Sequence, residues 1–175
     1  PSNGRKPIRF LLDQLETFGL PATWGIVGKL LVEESQHGTI SVPAHLQGAD
    51  PEKYSQADPL YFMPELLDWI ENTDVDHEVA GHSFTHPRFG DLSKEQARSE
   101  LTAMYEAFDA HGYNLDSMIH PYIDVEHLDL LSEFRISAYS LGVKTKAQTL
   151  VSGMYPFLTH DREFWSVPAV EPFID

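Results

Sequence analysis

The segment whose residues are best suited to carry out chemistry is DHEVAGHSFTHPRFG, residues 76–90. It holds three histidines within ten residues. His82 and His86 are four positions apart, so both imidazoles can lie on the same side of one helical turn or tight loop. An imidazole pair at this spacing can chelate one divalent cation. The alternative is a turn that Ser83 and Thr85 cap, with the histidines hydrogen-bonded to the backbone. The position of the pair directly after a predicted buried strand favours the metal site.

Most of the other histidines lie in contexts that indicate structural roles. His77 begins the same predicted strand, which is the wrong end for a site in an α/β sheet. Four more fall in loops or on helix surfaces, namely His37, His45, His111 and His127. The chain has no cysteine, which excludes disulfides and thiolate ligands. Any metal must therefore be held by histidine, aspartate, glutamate or water.

Composition limits the partners and the architecture. The 27 acidic residues and 12 lysines and arginines give a formal net charge of −15, a field that repels nucleic acid and anionic membranes. No apolar run approaches the roughly 18 residues of a membrane-spanning helix, and the start of the chain does not resemble a signal peptide. With 42% hydrophobic residues in a chain of 175, we expect one packed domain over residues 1–175. The compartment is left open.

Helical and strand patterns alternate around the histidine pair. Strands are predicted over residues 21–28, 77–83, 117–122, 136–142 and 164–170, and helices over residues 8–18, 28–34, 64–72, 94–111 and 125–134. Ser93 and Gln96 form a capping box before the longest helix, and Gly112 ends it. A polar, irregular loop is expected over residues 35–60. This alternation predicts an α/β fold with a parallel sheet, either open or closed into a barrel.

Sites in such sheets form where the carboxyl ends of parallel strands meet. Three of the predicted strands end in the groups Trp24 to Gly28, His82 to His86, and His120 to Tyr122. We therefore expect these groups, although distant in sequence, to converge on one rim of the sheet.

The chain resembles the polysaccharide deacetylase (NodB-homology, carbohydrate esterase family 4-like) family in three segments. The segment LLDQLETFGLPATWGIVGKLL is similar to that family's first helix and the G-x-x-A-T-F-F strand that follows it. The segment HEVAGHSFTHPRF is similar to its H-[ST]-x-x-H motif, including the glycine before the first histidine. Its third region, a strand ending in a proline–aromatic pair and followed by a helix and a strand, is similar to SMIHPYIDVEHLDLLSEFRISAYSLG. These matches fall in the family's order over about residues 8–142.

The resemblance implies a distorted (β/α) barrel that removes acetyl groups from an N-acetylated glycan with one divalent metal, commonly zinc. By position, His82 and His86 would be the two imidazole ligands, and Ser83 would order the loop that presents them. Pro121 and Tyr122 would line the substrate groove with His120 beside them, although a hydrogen-bonded histidine at the strand end is an equal alternative for His120.

The chain also departs from the family pattern. The family's first motif is a strand ending in adjacent aspartates, the general base and the third metal ligand, yet only PSNGRKP precedes the first helix and no Asp-Asp pair occurs. Asp13 lies on that helix and cannot substitute. Many members of the family have an arginine near the proline of the third region, but no arginine flanks Pro121. The candidate for the family's late L-x-H motif is the pair Leu158 and His160. We expect a barrel without its first strand. Either a segment that carries this strand precedes Pro1 in the protein, or the chain is a homologue without catalysis.

Three functions remain open at this point. The leading hypothesis is a metal-dependent hydrolase acting on an N-acetylated glycan. A second keeps the fold but acts on small non-peptide C–N compounds. The third is a non-catalytic glycan-binding or structural relative.

Overall fold

The computed structural model describes residues 5–32, 62–142, 157–158 and 165–169. Its elements, in chain order, are α1 (Arg5–Thr17), β1 (Thr23–Ile26), α2 (Leu66–Glu71), β2 (Glu78–Gly81), α3 (Lys94–Asp109), β3 (Ser117–Met118), β4 (Ala138–Gly142), β5 (Phe157–Leu158) and β6 (Trp165–Ala169). Short 3-10 turns connect them at Gly28–Leu31, Phe89–Asp91, Pro121–Ile123 and Leu128–Phe134. The loop predicted over residues 35–60 lies outside the described residues, as do His37, His45 and His160.

The strands of the described residues form one six-stranded sheet in the order β1-β2-β3-β4-β6-β5. Each neighbouring pair from β1 to β6 is parallel, and β5 pairs antiparallel with β6. The register aligns Ile26 with Gly81 and Gly81 with Met118, so the carboxyl ends of the first three strands meet at one edge. The predicted α/β class with a parallel sheet is therefore confirmed, whereas the two-residue β5 was not predicted.

The ends of the long helices follow the predicted signals. Ser93 accepts a hydrogen bond from the N–H of Gln96, and the Gln96 side chain accepts one from the N–H of Ser93, which completes the capping box of α3. Gly19 and Gly112 lie after α1 and α3 with φ of 62° and 70°, in the left-handed region where glycine carries no Cβ penalty. None of the helices in the described part of the chain has both the length and the apolar character that crossing a membrane requires.

Three predicted elements differ in the structure. The strand predicted over residues 117–122 pairs only at Ser117 and Met118, because Pro121 has no N–H for the ladder and the chain turns there. The helix predicted over residues 125–134 is a 3-10 helix at Leu128–Phe134, and the residues flanking it, His127 and Arg135, have left-handed backbones. Likewise, the short helix predicted over residues 28–34 is a 3-10 turn at Gly28–Leu31.

The core forms where α3 packs on the sheet and on the Gly28–Leu31 turn. The buried face of α3 carries mainly small or apolar residues, namely Ala97, Leu101, Ala103, Met104, Ala107 and Phe108. A Cβ on Gly81 would lie 2.6 Å from the Met104 sulfur, and a Cβ on Gly28 would lie 3.0 Å from the Met104 Cα. The glycine before His82 is therefore a packing requirement: it lets α3 approach the strand that presents the histidine pair.

Candidate metal centre

His82 and His86 lie side by side after β2. Their ring centroids are 4.7 Å apart, with an interplanar angle of 68°. His82 Nδ1 is 2.7 Å from the carbonyl oxygen of Ile119, at the end of the neighbouring strand. A carbonyl only accepts, so Nδ1 carries the hydrogen and Nε2 keeps a free lone pair. This is the arrangement in which a second hydrogen bond fixes the tautomer and the orientation of a metal-binding imidazole.

The surroundings of His82 favour its neutral form. Burial lowers the pKa of His82 below its usual 6.5, the hydrogen bond to the Ile119 carbonyl opposes this, and the nearby His86 lowers it further. The neutral imidazole is the form that binds metal, so His82 needs no deprotonation at neutral pH.

Ser83 shapes the turn between the two histidines. Its side chain is fully buried (0% exposed), and its Oγ accepts a hydrogen bond from the N–H of His86 at 2.9 Å. Its carbonyl accepts the N–H of Gly28 at 2.8 Å, which ties the turn to the segment after β1. Both Ser83 and His86 have positive φ, 59° and 65°, a conformation that non-glycine residues rarely adopt. These contacts fix the backbone that presents the His86 ring.

A buried glutamate on α3 binds the backbone of the same turn. Glu100 is 0% exposed, and its Oε2 accepts the N–H groups of Phe84 and Thr85, each at 2.9 Å. Its Oε1 accepts the Thr85 hydroxyl at 2.5 Å. Sequence reasoning missed this residue, and the available signal was a carboxylate on the otherwise apolar face of α3.

His120 and Pro121 occupy buried positions. The His120 side chain is 1% exposed and packs edge-on against Phe89 and Tyr139, with ring centroids 5.4 and 5.8 Å away. Neither of its ring nitrogens has a hydrogen-bond partner among the described residues. Burial lowers the pKa of His120 to about 4, which Asp124 opposes and His82 reinforces. The expectation that His120 and Pro121 line an open groove is therefore corrected, because the turn at Pro121 folds both into the interior.

Tyr122 is the member of that predicted groove that reaches the surface. Its side chain is 55% exposed, and its backbone has a φ of 57°. The ring centroid lies 4.8 Å from that of His86, and the Arg88 guanidinium carbon lies 4.2 Å from the Tyr122 ring centroid. The rim that the sequence predicted thus brings Tyr122 and the histidine pair together.

Three other histidines make the backbone contacts expected of structural residues. His77 Nδ1 accepts the N–H of Ala22 at 3.1 Å. His111 and His127 each place Nε2 against a backbone carbonyl, of Leu31 at 2.7 Å and of Leu92 at 2.9 Å. Among the described residues, no three histidine, aspartate or glutamate side chains are grouped closely enough to hold a metal. Within that part of the chain, the candidate centre therefore consists of His82 and His86.

Comparison with known proteins identifies one family. A family model described as polysaccharide deacetylase matches residues 8–137, more than half of the chain. The crystal structure of a "putative polysaccharide deacetylase" from Mycobacterium smegmatis is similar, with a TM-score of 0.61 and 19% sequence identity. The match covers 93% of this chain and 45% of that one, so this chain spans less than half of its neighbour's length. No curated protein matches significantly. The structural likeness confirms the predicted partial α/β barrel.

Proposed function

Since the chain belongs to the polysaccharide deacetylase family, we propose that it is a metal-dependent hydrolase that removes acetyl groups from an N-acetylated glycan. The observation that carries this proposal is the contact between His82 Nδ1 and the Ile119 carbonyl, beside the His86 ring. It leaves one imidazole lone pair free and oriented, next to a second imidazole, at the carboxyl edge of the sheet.

The residues present fit one divalent metal in their donor chemistry. His82 and His86 would hold it, and zinc is the metal that such nitrogen donors commonly bind. A bound metal would supply Lewis-acid polarisation of an amide carbonyl and would lower the pKa of a bound water towards the neutral range. No general base or acid is assigned, because the described residues bring no carboxylate to the histidine pair.

The chain's own residues contribute orientation and protonation state. Burial favours the neutral form of His82, and the hydrogen bond to the Ile119 carbonyl fixes the orientation of its ring. Ser83 fixes the backbone of His86, and Glu100 anchors the turn between the two histidines to α3. The exposed Tyr122 ring covers one side of His86 and offers an apolar face on which a sugar ring can pack. Such support of metal ligands by their neighbours is worth about 10–100-fold in metal affinity in characterised sites.

The test measures zinc binding and acetate release together. Wild type, His82→Ala, His86→Ala and the control His127→Ala are dialysed against zinc, and their bound metal is measured by atomic spectrometry. We expect wild type and the control to retain zinc and both site variants to lose at least about 10-fold in affinity. Acetate release from N-acetylated oligosaccharides should follow the zinc content. Equal zinc in all four proteins would overturn the ligand assignment.

A non-catalytic glycan-binding relative is the second candidate function. It is favoured by one observation, the lack of a carboxylate grouped with His82 and His86 among the described residues. Such a protein would bind zinc and oligosaccharide yet release no acetate. Zinc retention and oligosaccharide binding without acetate release would therefore support this candidate over the hydrolase.

A further inference from the structure

Arg88 places a positive charge beside the candidate metal centre. Its guanidinium carbon lies 4.2 Å from the centroid of the Tyr122 ring. The centroid of the His86 imidazole lies 4.8 Å from the same point. Stacking on an aromatic face fixes the plane of a guanidinium and leaves the N–H groups at its edge free to donate. The residue is exposed, so these donors face solvent next to the histidine pair.

The charge of Arg88 is not neutralised within the described residues. Two other arginines are, since Arg5 pairs with Glu65 and Arg98 with Glu133, at 2.5 and 3.0 Å. Among the described residues, no carboxylate lies within ion-pair distance of Arg88. In a chain with a formal charge of −15, a cation that has no carboxylate partner among the described residues can attract an anion to the edge of the candidate active site.

The backbone holds the arginine and the tyrosine in place. Tyr122 and the residue after it, Ile123, both have positive φ, 57° and 54°, which costs roughly 1 kcal/mol or more for a non-glycine residue. The Asp124 carboxylate accepts the N–H of Gly90 at 2.9 Å, which joins the Tyr122 turn to the segment that carries Arg88. The stack is therefore preorganised by contacts on both of its segments, not assembled from two free side chains.

We propose that Arg88 is a specificity-determining residue that binds a carboxylate on the substrate, so that the glycan is an acidic one whose carboxylate lies near its N-acetyl group. This inference rests on the proposed function. A guanidinium edge matches a carboxylate with two parallel hydrogen bonds, a geometry that an ammonium group does not reproduce. The part of the Tyr122 ring that Arg88 leaves exposed and the edge of the guanidinium together form a surface for an apolar sugar face and its acid substituent.

The positive charge of Arg88 also counteracts the repulsion between the negatively charged protein and an acidic substrate. A net charge of −15 repels an anionic polymer, so an acidic substrate needs a positive anchor where the reacting group must be placed. A neutral glycan would need no such anchor. The position of Arg88, one aromatic ring away from His86, places that anchor at the reacting end of the substrate.

The experiment compares a carboxylate-bearing N-acetylated oligosaccharide with the same oligosaccharide after its carboxyl group is reduced to an alcohol. Wild type, Arg88→Gln, Arg88→Lys and the control Arg98→Gln are assayed for kcat and KM by acetate release, and for Kd by calorimetric titration. Thermal unfolding checks that each variant is folded. Arg98 is a suitable control because it is an exposed arginine on α3 that is paired with Glu133.

We expect wild type and Arg98→Gln to prefer the acidic oligosaccharide by about 10-fold or more, the scale of a charge-assisted hydrogen-bonded pair. In Arg88→Gln this ratio should fall to near one, mainly through KM, and Arg88→Lys should restore part of it. An unchanged ratio in Arg88→Gln would overturn the inference, while acetate release would still support the hydrolase. If no protein releases acetate but Kd shows the Arg88-dependent preference, the hydrolase fails and the role of Arg88 stands. Binding of neither oligosaccharide overturns both.

Discussion

The buried His120 predicts a specific dependence of stability on pH. Burial lowers the pKa of its imidazole from the usual 6.5 to about 4 in the folded chain. Between these pH values the unfolded chain binds a proton that the folded chain does not, so acidification favours unfolding. The stabilising contribution is therefore fully present above pH 6.5 and is lost as the pH falls to about 4. With about 1.4 kcal/mol for each pKa unit, the loss is about 3 kcal/mol.

The matching variant is His120→Leu, which has a similar volume and removes two polar atoms that lack hydrogen-bond partners among the described residues. Near neutral pH we expect its free energy of unfolding to lie within about 1.5 kcal/mol of the wild-type value. As the pH is lowered through the window, urea unfolding should show wild type losing about 3 kcal/mol relative to the variant.

Met118→Leu is the control, because Met118 is buried at the end of β3, two residues before His120, and does not titrate. Its difference from wild type should stay constant with pH. Parallel stability curves for wild type and His120→Leu would refute the reasoning, since they would mean that His120 binds its proton equally well in both states.

Three further substitutions test the support of the histidine pair. Ser83→Ala removes the acceptor for the N–H of His86, so we expect about 10-fold weaker zinc binding by titration and a loss of about 1 kcal/mol in urea unfolding. Glu100→Gln replaces a carboxylate that accepts three hydrogen bonds by an amide that cannot accept them all, which should cost about 2 kcal/mol in urea unfolding. Gly81→Ala brings a Cβ to 2.6 Å from the Met104 sulfur, and overpacking of this kind costs about 1–3 kcal/mol in thermal or urea unfolding.

Each substitution has a matched control elsewhere in the chain. Ser132→Ala and Glu126→Gln change exposed side chains and should shift stability by no more than about 0.5 kcal/mol. Gly19→Ala introduces a Cβ into open space at a φ of 62°, so it carries only the backbone strain, about 1 kcal/mol. If a site variant behaved like its control, the contact assigned to it would not be what holds the histidine turn.

The helix ends could be predicted because their signals are local. Ser93 and Gln96 satisfy each other's backbone N–H groups three residues apart, and the glycines at 19 and 112 take the left-handed conformation directly after α1 and α3. The proximity of His82 and His86 follows from a spacing of four residues, whereas the prediction of a metal site also used their position after a strand and the family resemblance. No knowledge of the tertiary fold is needed to predict the helix ends or the proximity of the two rings.

The remaining features depend on contacts between distant segments. Glu100 bonds to Phe84 across 16 positions, and Arg88 stacks on Tyr122, which follows a different strand. The burial of His120 results from the turn that begins at Pro121, where the sequence pattern alone also permits a longer strand with an exposed end. Hydrophobic periodicity carries no information about such pairings. The sequence therefore predicts the class of fold, the candidate histidine pair and a loop-ordering role for Ser83, but not the contacts of Glu100 and Arg88.

The strain in the histidine turn is the strongest physical argument that the pair has a function. Ser83 and His86 both adopt positive φ, and each such non-glycine residue costs roughly 1 kcal/mol or more. The bonds that Ser83 and Glu100 make to this backbone offset that cost. Core packing accounts for the burial of Ser83 and Phe84 within the turn, whereas His86 at its end packs on Tyr122, whose ring is exposed. A plain connection between β2 and α3 could use an unstrained turn, whereas this one places two imidazoles 4.7 Å apart at the carboxyl edge of the sheet.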